Sequence, residues 1–184
     1  MAILRTTLPI IAAICLLLPC PPFSSAADKS YELATKVCKN TTDFDFCRGV
    51  VFPDPRAAAA DRVDLAYIIF NLTYINSTST QEYIEREIKS IGGGDAALLE
   101  GLKKCRDYYK EATRTLLYDM LGDLDSDSYS GFDKASLRVK EQATACVLGL
   151  RHSGGGSPAM RKRNGVLVKL ADVCYAVSLL FPYS

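Results

Sequence analysis

The sequence predicts an all-α fold, an up-down-up-down four-helix bundle preceded by a small helical hairpin closed by a disulfide. Three observations carry this expectation. Apolar residues recur three or four positions apart through most of the chain, and no strictly alternating run is long enough for a strand. Short Gly, Pro, Ser and Asp clusters separate the periodic stretches, and four long amphipathic helices on short links favour antiparallel packing. The cysteines fall at spacings that such a bundle can cross-link.

Residues 1–27 are read as an export signal and set apart from the fold. In MAILRTTLPIIAAICLLLPCPPFSSAA the only charge is Arg5; the apolar run Ile10 to Leu18 follows, then prolines, then small residues. Cleavage after Ala26 leaves Ser24 and Ala26 at the small-residue positions, and cleavage after Ala27 is nearly as good. The apolar run is too short to span a hydrocarbon core of about 30 Å. No later stretch offers about 20 uncharged apolar residues, so a secreted protein without a membrane segment is expected. The mature domain is then 28–184, about 157 residues, long enough for one real core. It divides into a hairpin at 28–55 and a bundle at 56–184.

The elements follow in order. Residues 30 to 50 carry two short helical patterns around a loop from Cys38 to Cys47, and VFPDP, with Pro53 and Pro55, ends that unit. A long helical region runs from about Ala57 to Ile91, with Leu65, Ile68, Ile69, Leu72 and Ile75 on one stripe and Ile84, Ile88 and Ile91 on its continuation. NSTST at 76–80 is a poor helix centre: either an irregular turn within one helix, or a break with Ser79 as cap and Glu82 closing a capping box. The glycines at 92–94 stop the element. Asp95 is a good N-cap for the next helix, whose stripe is Leu98, Leu102, Cys105, Tyr109, Ala112, Leu116 and Met120, ending in GDLDSDSYSG. Phe132, Ala135, Val139, Ala143, Cys146 and Leu150 define a third helix, broken by HSGGG. Ser157-Pro158 is an N-cap and N1 pair, and the last helix carries Val166, Leu170, Val173, Val177 and Leu180.

Loss of residues 1–27 removes Cys15 and Cys20 and leaves Cys38, Cys47, Cys105, Cys146 and Cys174 in an oxidising environment, where disulfides are the default. The tip between the second and third bundle helices lies near Ser126. Cys105 is 21 residues before it and Cys146 is 20 after it, so at about 1.5 Å per residue the two stand at nearly the same height on antiparallel neighbours. Cys146 and Cys174 are mismatched by 12 residues about the next tip, or about 18 Å. Cys105 and Cys174 sit on parallel helices and are out of level by about 9 Å. The expected pairing is therefore Cys38–Cys47 and Cys105–Cys146, with Cys174 a free, buried thiol.

Composition argues against several function classes. Without Arg5, Lys+Arg falls from 22 to 21 against 21 Asp+Glu, a balance unsuited to nucleic-acid or polybasic membrane binding. The single histidine, His152, has no HxxxH partner, and the cysteine spacings make no zinc knuckle. Asp123, Asp125 and Asp127 resemble the start of a calcium loop, but Ser128 and Lys134 stand where Gly and Glu are needed. The glycine triplets follow no strand and precede no GK[ST], so they are links and not phosphate loops. Arg161, Lys162 and Arg163 read as a solvated face. No metal site, no cofactor and no catalytic residue is expected; an inert exported bundle reads as a binding protein, a monomer or weak dimer. Three sequons, at Asn40, Asn71 and Asn76, are candidates for N-glycosylation.

A wider combination of residues points further. Val37-Cys38, Thr41-Thr42 and Phe46-Cys47 precede a long helix; Leu102-Lys103-Lys104-Cys105-Arg106-Asp107-Tyr108-Tyr109 follows, with Leu116 and Leu117 behind it; then come Ala143-Thr144-Ala145-Cys146, Ser157-Pro158, Asn164 and an aliphatic last helix. This resembles the plant invertase and pectin methylesterase inhibitor family over nearly the whole mature chain. The resemblance implies a four-helix bundle with an N-terminal hairpin, the first cysteine pair within the hairpin and the second joining neighbouring bundle helices. Members bind and block a carbohydrate-active enzyme by stoichiometric complex formation and do no chemistry themselves. Asp45-Phe46-Cys47, Asp54-Pro55, Ala60-Asp61 and Leu65-Ala66 look more like the invertase-inhibitor branch, which includes pollen-allergen proteins.

The resemblance therefore implies an enzyme inhibitor, secreted to the apoplast or cell wall, or to the vacuole. Its partner would be an acid invertase, a cell-wall or vacuolar β-fructofuranosidase. The alternatives are pectin methylesterase, or a non-inhibitory interaction protein on the same scaffold. Invertase inhibitors of the family often carry a Pro-Lys-Phe motif that enters the target's active site. The nearest stretch here is Ser130-Gly131-Phe132-Asp133-Lys134, which lacks the proline and reverses the order. Phe132, Asp133 and Lys134 are the candidate target contacts, with Phe132 alternatively the first core residue of its helix.

Overall fold

Every regular element among the described residues is helical in the computed structural model, which describes residues 31–91, 94–153 and 156–181. The export signal read at 1–27 lies outside them. Helices α1 (Glu32–Lys39) and α2 (Phe44–Val51) form the hairpin. The Asp43 carboxylate caps α2 by accepting from the Phe46 N–H at 3.0 Å. Cys38 and Cys47 are bonded, their Cα atoms 5.4 Å apart, and Tyr31 stacks on Phe52 at 4.4 Å to close the open end.

The bundle comprises α3 (Arg62–Ile91), α4 (Ala96–Arg114), α5 (Phe132–Arg151) and α6 (Pro158–Ser178). Asp61, Asp95 and Ser157 cap three of the N-termini through their side-chain oxygens; α5 instead enters from Gly131 at φ 89°, a left-handed conformation that glycine adopts without strain. Paired residues give the directions. Tyr67–Asp125, Ser77–Thr113 and Glu85–Arg106 link α3 to the α4 rod with one number rising as the other falls, so the two run antiparallel. Cys105–Cys146 and Asp119–Arg138 do the same for α4 and α5, Lys140–Asp172 and Phe132–Phe181 for α5 and α6, and Thr73–Cys174 and Tyr83–Ser157 for α6 and α3. The ring closes, and the four helices alternate up and down.

Leu65, Ile69, Phe70, Leu102, Leu116, Met120, Val139, Leu150 and Leu167 fill the middle, all essentially without solvent exposure. Each such side chain contributes about 1.5–3 kcal/mol on burial. The hairpin docks on α6: Asp172 accepts from both the amide and the hydroxyl of Thr42 at 2.8 Å, and Lys169 reaches Asp43 at 2.7 Å.

Four local features depart from the sequence reading. The long helix begins at Arg62 and not at Ala57, because Pro55–Ala58 makes a separate 3-10 turn started by Asp54. NSTST neither breaks nor bulges: α3 runs unbroken, since Thr73 and Thr80 donate to the carbonyls of Ile69 and Asn76 four residues back and Ser77 meets Thr113 at 2.9 Å. The α3 and α6 stripes also shift slightly, Ile75 being 56% exposed and Leu167 rather than Val166 being buried. Finally, α4 passes into a π-helical stretch, Thr115–Gly122, completed by one α turn at Asp123–Asp125. Ala112, Leu116, Met120 and Leu124 are all buried and stand four apart. In a 3.6-residue turn each step of four rotates about 40° off the seam; the wider i→i+5 turn keeps all four inside.

Candidate interaction surface

The stretch expected to contact a target opens α5. The Phe132 ring, 1% exposed, lies edge-on to Phe70 at 5.2 Å and to Phe181 at 5.5 Å, with Tyr129 at 6.4 Å. It is the first core residue of its helix, the alternative that the sequence offered, and it also helps to line the recess beside it. Asp133 is half-buried and Lys134 exposed. Beside them a recess of ≈ 240 Å³ is walled by Tyr129, Gly131, Phe132, Asp133, Leu179 and Phe181. Leu179 is 54% exposed there, and the Arg62 guanidinium lies over the rings of Tyr129 and Phe181 at 5.7 and 5.2 Å. The α5–α6 side of this end thus combines a cation, a carboxylate and apolar surface on rigid helical supports.

The α3–α4 side carries a larger groove of ≈ 560 Å³, lined by Arg56, Tyr67, Asn71, Leu117, Leu121 and Asp125 among others. The π-helical stretch turns Leu117 and Tyr118 outward, at 37% and 62% exposure. The Tyr67 hydroxyl donates to Asp125, and that hydrogen bond pushes the phenol up to about 12.

The remaining sequence-derived residues are placed as follows. Cys105 and Cys146 are bonded across α4 and α5, Cα atoms 4.6 Å apart, both fully buried. Cys174 is a free, buried thiol 3.2 Å from the Thr73 hydroxyl; burial pushes it up to about 12, so it is no nucleophile near neutral pH. His152 is exposed, with Nδ1 2.8 Å from the Leu148 carbonyl oxygen. Asp127 accepts from the Tyr129 hydroxyl at 2.6 Å and Asp125 from Tyr67, so two members of the acidic run are engaged as turn and cap partners. Among the described residues no His, Cys, Asp and Glu cluster is arranged to hold a metal ion, and no helix is long and apolar enough to cross a membrane. Asn40 is exposed just past α1, Asn71 is exposed in mid-α3, and Asn76 is half-buried with Oδ1 enclosed and unpartnered.

Sequence reasoning missed the π-helical stretch and the groove beside it. The run of four-residue spacings was the available signal.

The sequence profile described as "Plant invertase/pectin methylesterase inhibitor" matches residues 32–177. A protein of Arabidopsis thaliana named "Cell wall / vacuolar inhibitor of fructosidase 2" is 32% identical over 115 residues, which are 62% of this chain and 61% of that protein. A Platanus orientalis protein named "Putative invertase inhibitor" is 25% identical over 163 residues, 88% of this chain and 94% of the relative. Among solved structures, a mutant form of a pectin methylesterase inhibitor from Arabidopsis superposes with a TM-score of 0.71 at 19% identity, over 82% of this chain and 98% of the other, which establishes the shared fold. The family and the named relatives are inhibitors and not enzymes. With the profile running from the first turn of α1 to the last turn of α6, the chain belongs to the plant invertase/pectin methylesterase inhibitor family.

Proposed function

We propose that the protein is exported, with residues 1–27 removed, and that its single inhibitory domain, 28–184, blocks an acid invertase by forming a one-to-one complex in the cell wall or vacuole. The observation that carries this reading is the match over most of the chain to relatives named for fructosidase and invertase inhibition. The bundle supports it physically. Two disulfides and capped helices hold the surface in place before binding, so little ordering entropy is lost on association. Asp133 and Lys134, with the recess beside them, are the proposed contacts. Titrating a purified cell-wall invertase with the protein tests it: sucrose hydrolysis falls to a plateau at a 1:1 ratio, whereas undiminished hydrolysis at micromolar inhibitor rules out that target.

A second reading, inhibition of pectin methylesterase, has its support in the family profile, whose description names both target enzymes. A parallel assay of methanol release from pectin separates the two targets, and activity against neither supports a non-inhibitory interaction protein.

A further inference from the structure

We propose that Asn71 carries an N-linked glycan whose first sugar lies in the groove between α3 and α4. Asn71-Leu72-Thr73 is a complete sequon, but the folded chain hides its recognition element: Thr73 is 0% exposed and its hydroxyl donates to the Ile69 carbonyl at 2.8 Å. Transfer therefore precedes folding, during export. In that step Asn71 Nδ2 attacks C1 of a lipid-diphosphate-linked oligosaccharide. The C1–N bond forms, the C1–O bond to the diphosphate breaks, the lipid diphosphate leaves with the electron pair, and Nδ2 gives up one proton.

The fold must then accommodate what was added, and the three sequons differ in this. Asn71 is exposed and forms part of the groove wall. Asn76, five residues on, has its Oδ1 enclosed by protein, and Ser77 and the Thr78 hydroxyl beside it are buried, so a branched sugar there has to displace packed atoms. Asn40 is exposed, but no described groove adjoins it.

The groove matches the chemistry of an N-acetylated pyranose. Leu117 and Leu121 offer an apolar floor for the acetamido methyl and the C–H face of the ring. Arg56, Asp64, Tyr67 and Asp125 line the groove as well; Arg56 is paired with Asp54 and Tyr67 with Asp125, and their remaining hydrogen-bonding positions are what the sugar hydroxyls would meet. Its ≈ 560 Å³ lies within the range of small-molecule sites, about 300–1,000 Å³. The sugar also covers Leu117, which the π-helical stretch turns outward.

The test uses the full chain secreted from plant cells. Glycopeptide mass mapping is expected to find Asn71 occupied and Asn76 unmodified, and Asn71→Gln is expected to remove the mass of one glycan. On the isotope-labelled glycoprotein, nuclear Overhauser contacts are expected between the acetamido methyl of the first sugar and the methyl groups of Leu117 and Leu121. An unmodified Asn71 in the folded, secreted protein overturns the site. An occupied Asn71 whose first sugar contacts neither leucine overturns the groove as its seat.

Discussion

The Tyr109 hydroxyl donates to Asn164 Oδ1 at 2.8 Å, joining α4 to α6 diagonally through the middle of the bundle. Both residues are essentially without exposure, and burial holds the phenol far above its usual range. This directional bond, with the buried Thr80 hydroxyl also beside the phenol, fixes how the two parallel helices face each other. Tyr109→Phe leaves the Asn164 oxygen without this donor and is expected to cost about 1–3 kcal/mol. Asn164→Leu should cost at least as much. The double variant should lose less than the two single losses together, because neither group is then left unpaired. Urea unfolding of the four proteins checks the cycle, and simple additivity would show that the pair does not act as a unit.

The two disulfides should contribute unequally. Cys38–Cys47 closes a sequence separation of 9 and Cys105–Cys146 one of 41. By loop-closure entropy alone these correspond to about 3 and about 4 kcal/mol. Replacing Cys105 and Cys146 by Ala is therefore expected to lower the unfolding free energy more than replacing Cys38 and Cys47, and the larger effect should appear as global unfolding. Loss of the hairpin bond should instead loosen α1 and α2 first, since the Tyr31–Phe52 stack and a few contacts with α6 are then their main supports. Denaturation followed by hydrogen exchange distinguishes the two outcomes.

The relation between sequence and structure follows from the same physics. The bundle and its capped helices were legible because periodicity, N-caps and helix breakers all pointed the same way. The buried faces of α5 and most of α4 fell on their predicted stripes. What stayed hidden depends on partners distant in sequence. Ser77 and Thr80, within NSTST, look unsuited to a helix centre until their hydroxyls are seen bonded to Thr113 and to the Asn76 carbonyl one turn back. Phe132 reads both as a target contact and as the first core residue of its helix, and Phe70 and Phe181, 62 positions before it and 49 after it, close around its ring. The proposed contact surface was the least legible part. Around the recess, Tyr129, Asp133, Leu179 and Phe181 carry no motif of their own, and the meeting of α5 with the end of α6 brings them together.

Docking of the hairpin should depend on pH in one direction. Burial would raise the Asp172 carboxyl, but the Thr42 amide and hydroxyl and the Lys140 ammonium outweigh it and hold the group below its ordinary value. Asp43 is lowered as well, chiefly by its bond to Lys169. A carboxylate lowered in the folded state contributes stability above the ordinary carboxylate range, about pH 4, and that contribution is lost as the pH falls below it. The Thr42 amide should stay protected at pH 5–6 and lose protection below about pH 4. Asp172→Asn should weaken the dock and flatten this dependence. Amide exchange at Thr42, measured between pH 6 and 3, decides it.

Cys174 should behave as an inert side chain until the fold opens. Its thiol is fully buried and pushed up to about 12, with the Thr73 hydroxyl at 3.2 Å as its neighbour. Iodoacetamide at pH 8 is expected to leave the native protein unlabelled and to label one cysteine once urea unfolds it with the disulfides intact. Cys174→Ala should cost about 1 kcal/mol, because Thr73 keeps its bond to Ile69. Rapid labelling of the native protein would show that α6 detaches from α3 far more often than this packing allows.

The start of α5 permits a test that separates recognition from folding within three consecutive residues. Phe132 lies in the aromatic cluster, so Phe132→Ala should destabilise by about 3–5 kcal/mol. Any loss of inhibition should then follow the fraction unfolded. Lys134 faces solvent and supports none of the core, so Lys134→Glu should leave the unfolding free energy within about 0.5 kcal/mol of the parent. If it meets the enzyme, the reversed charge should weaken inhibition about tenfold or more, as expected for a central contact. Asp133→Ala should fall between the two, since the side chain is half-buried at the recess. Inhibition constants measured beside melting curves for the three variants give the answer. Should Lys134→Glu inhibit as well as the parent while Phe132→Ala inhibits poorly at temperatures where it is fully folded, the aromatic ring itself meets the target and must leave the core to do so.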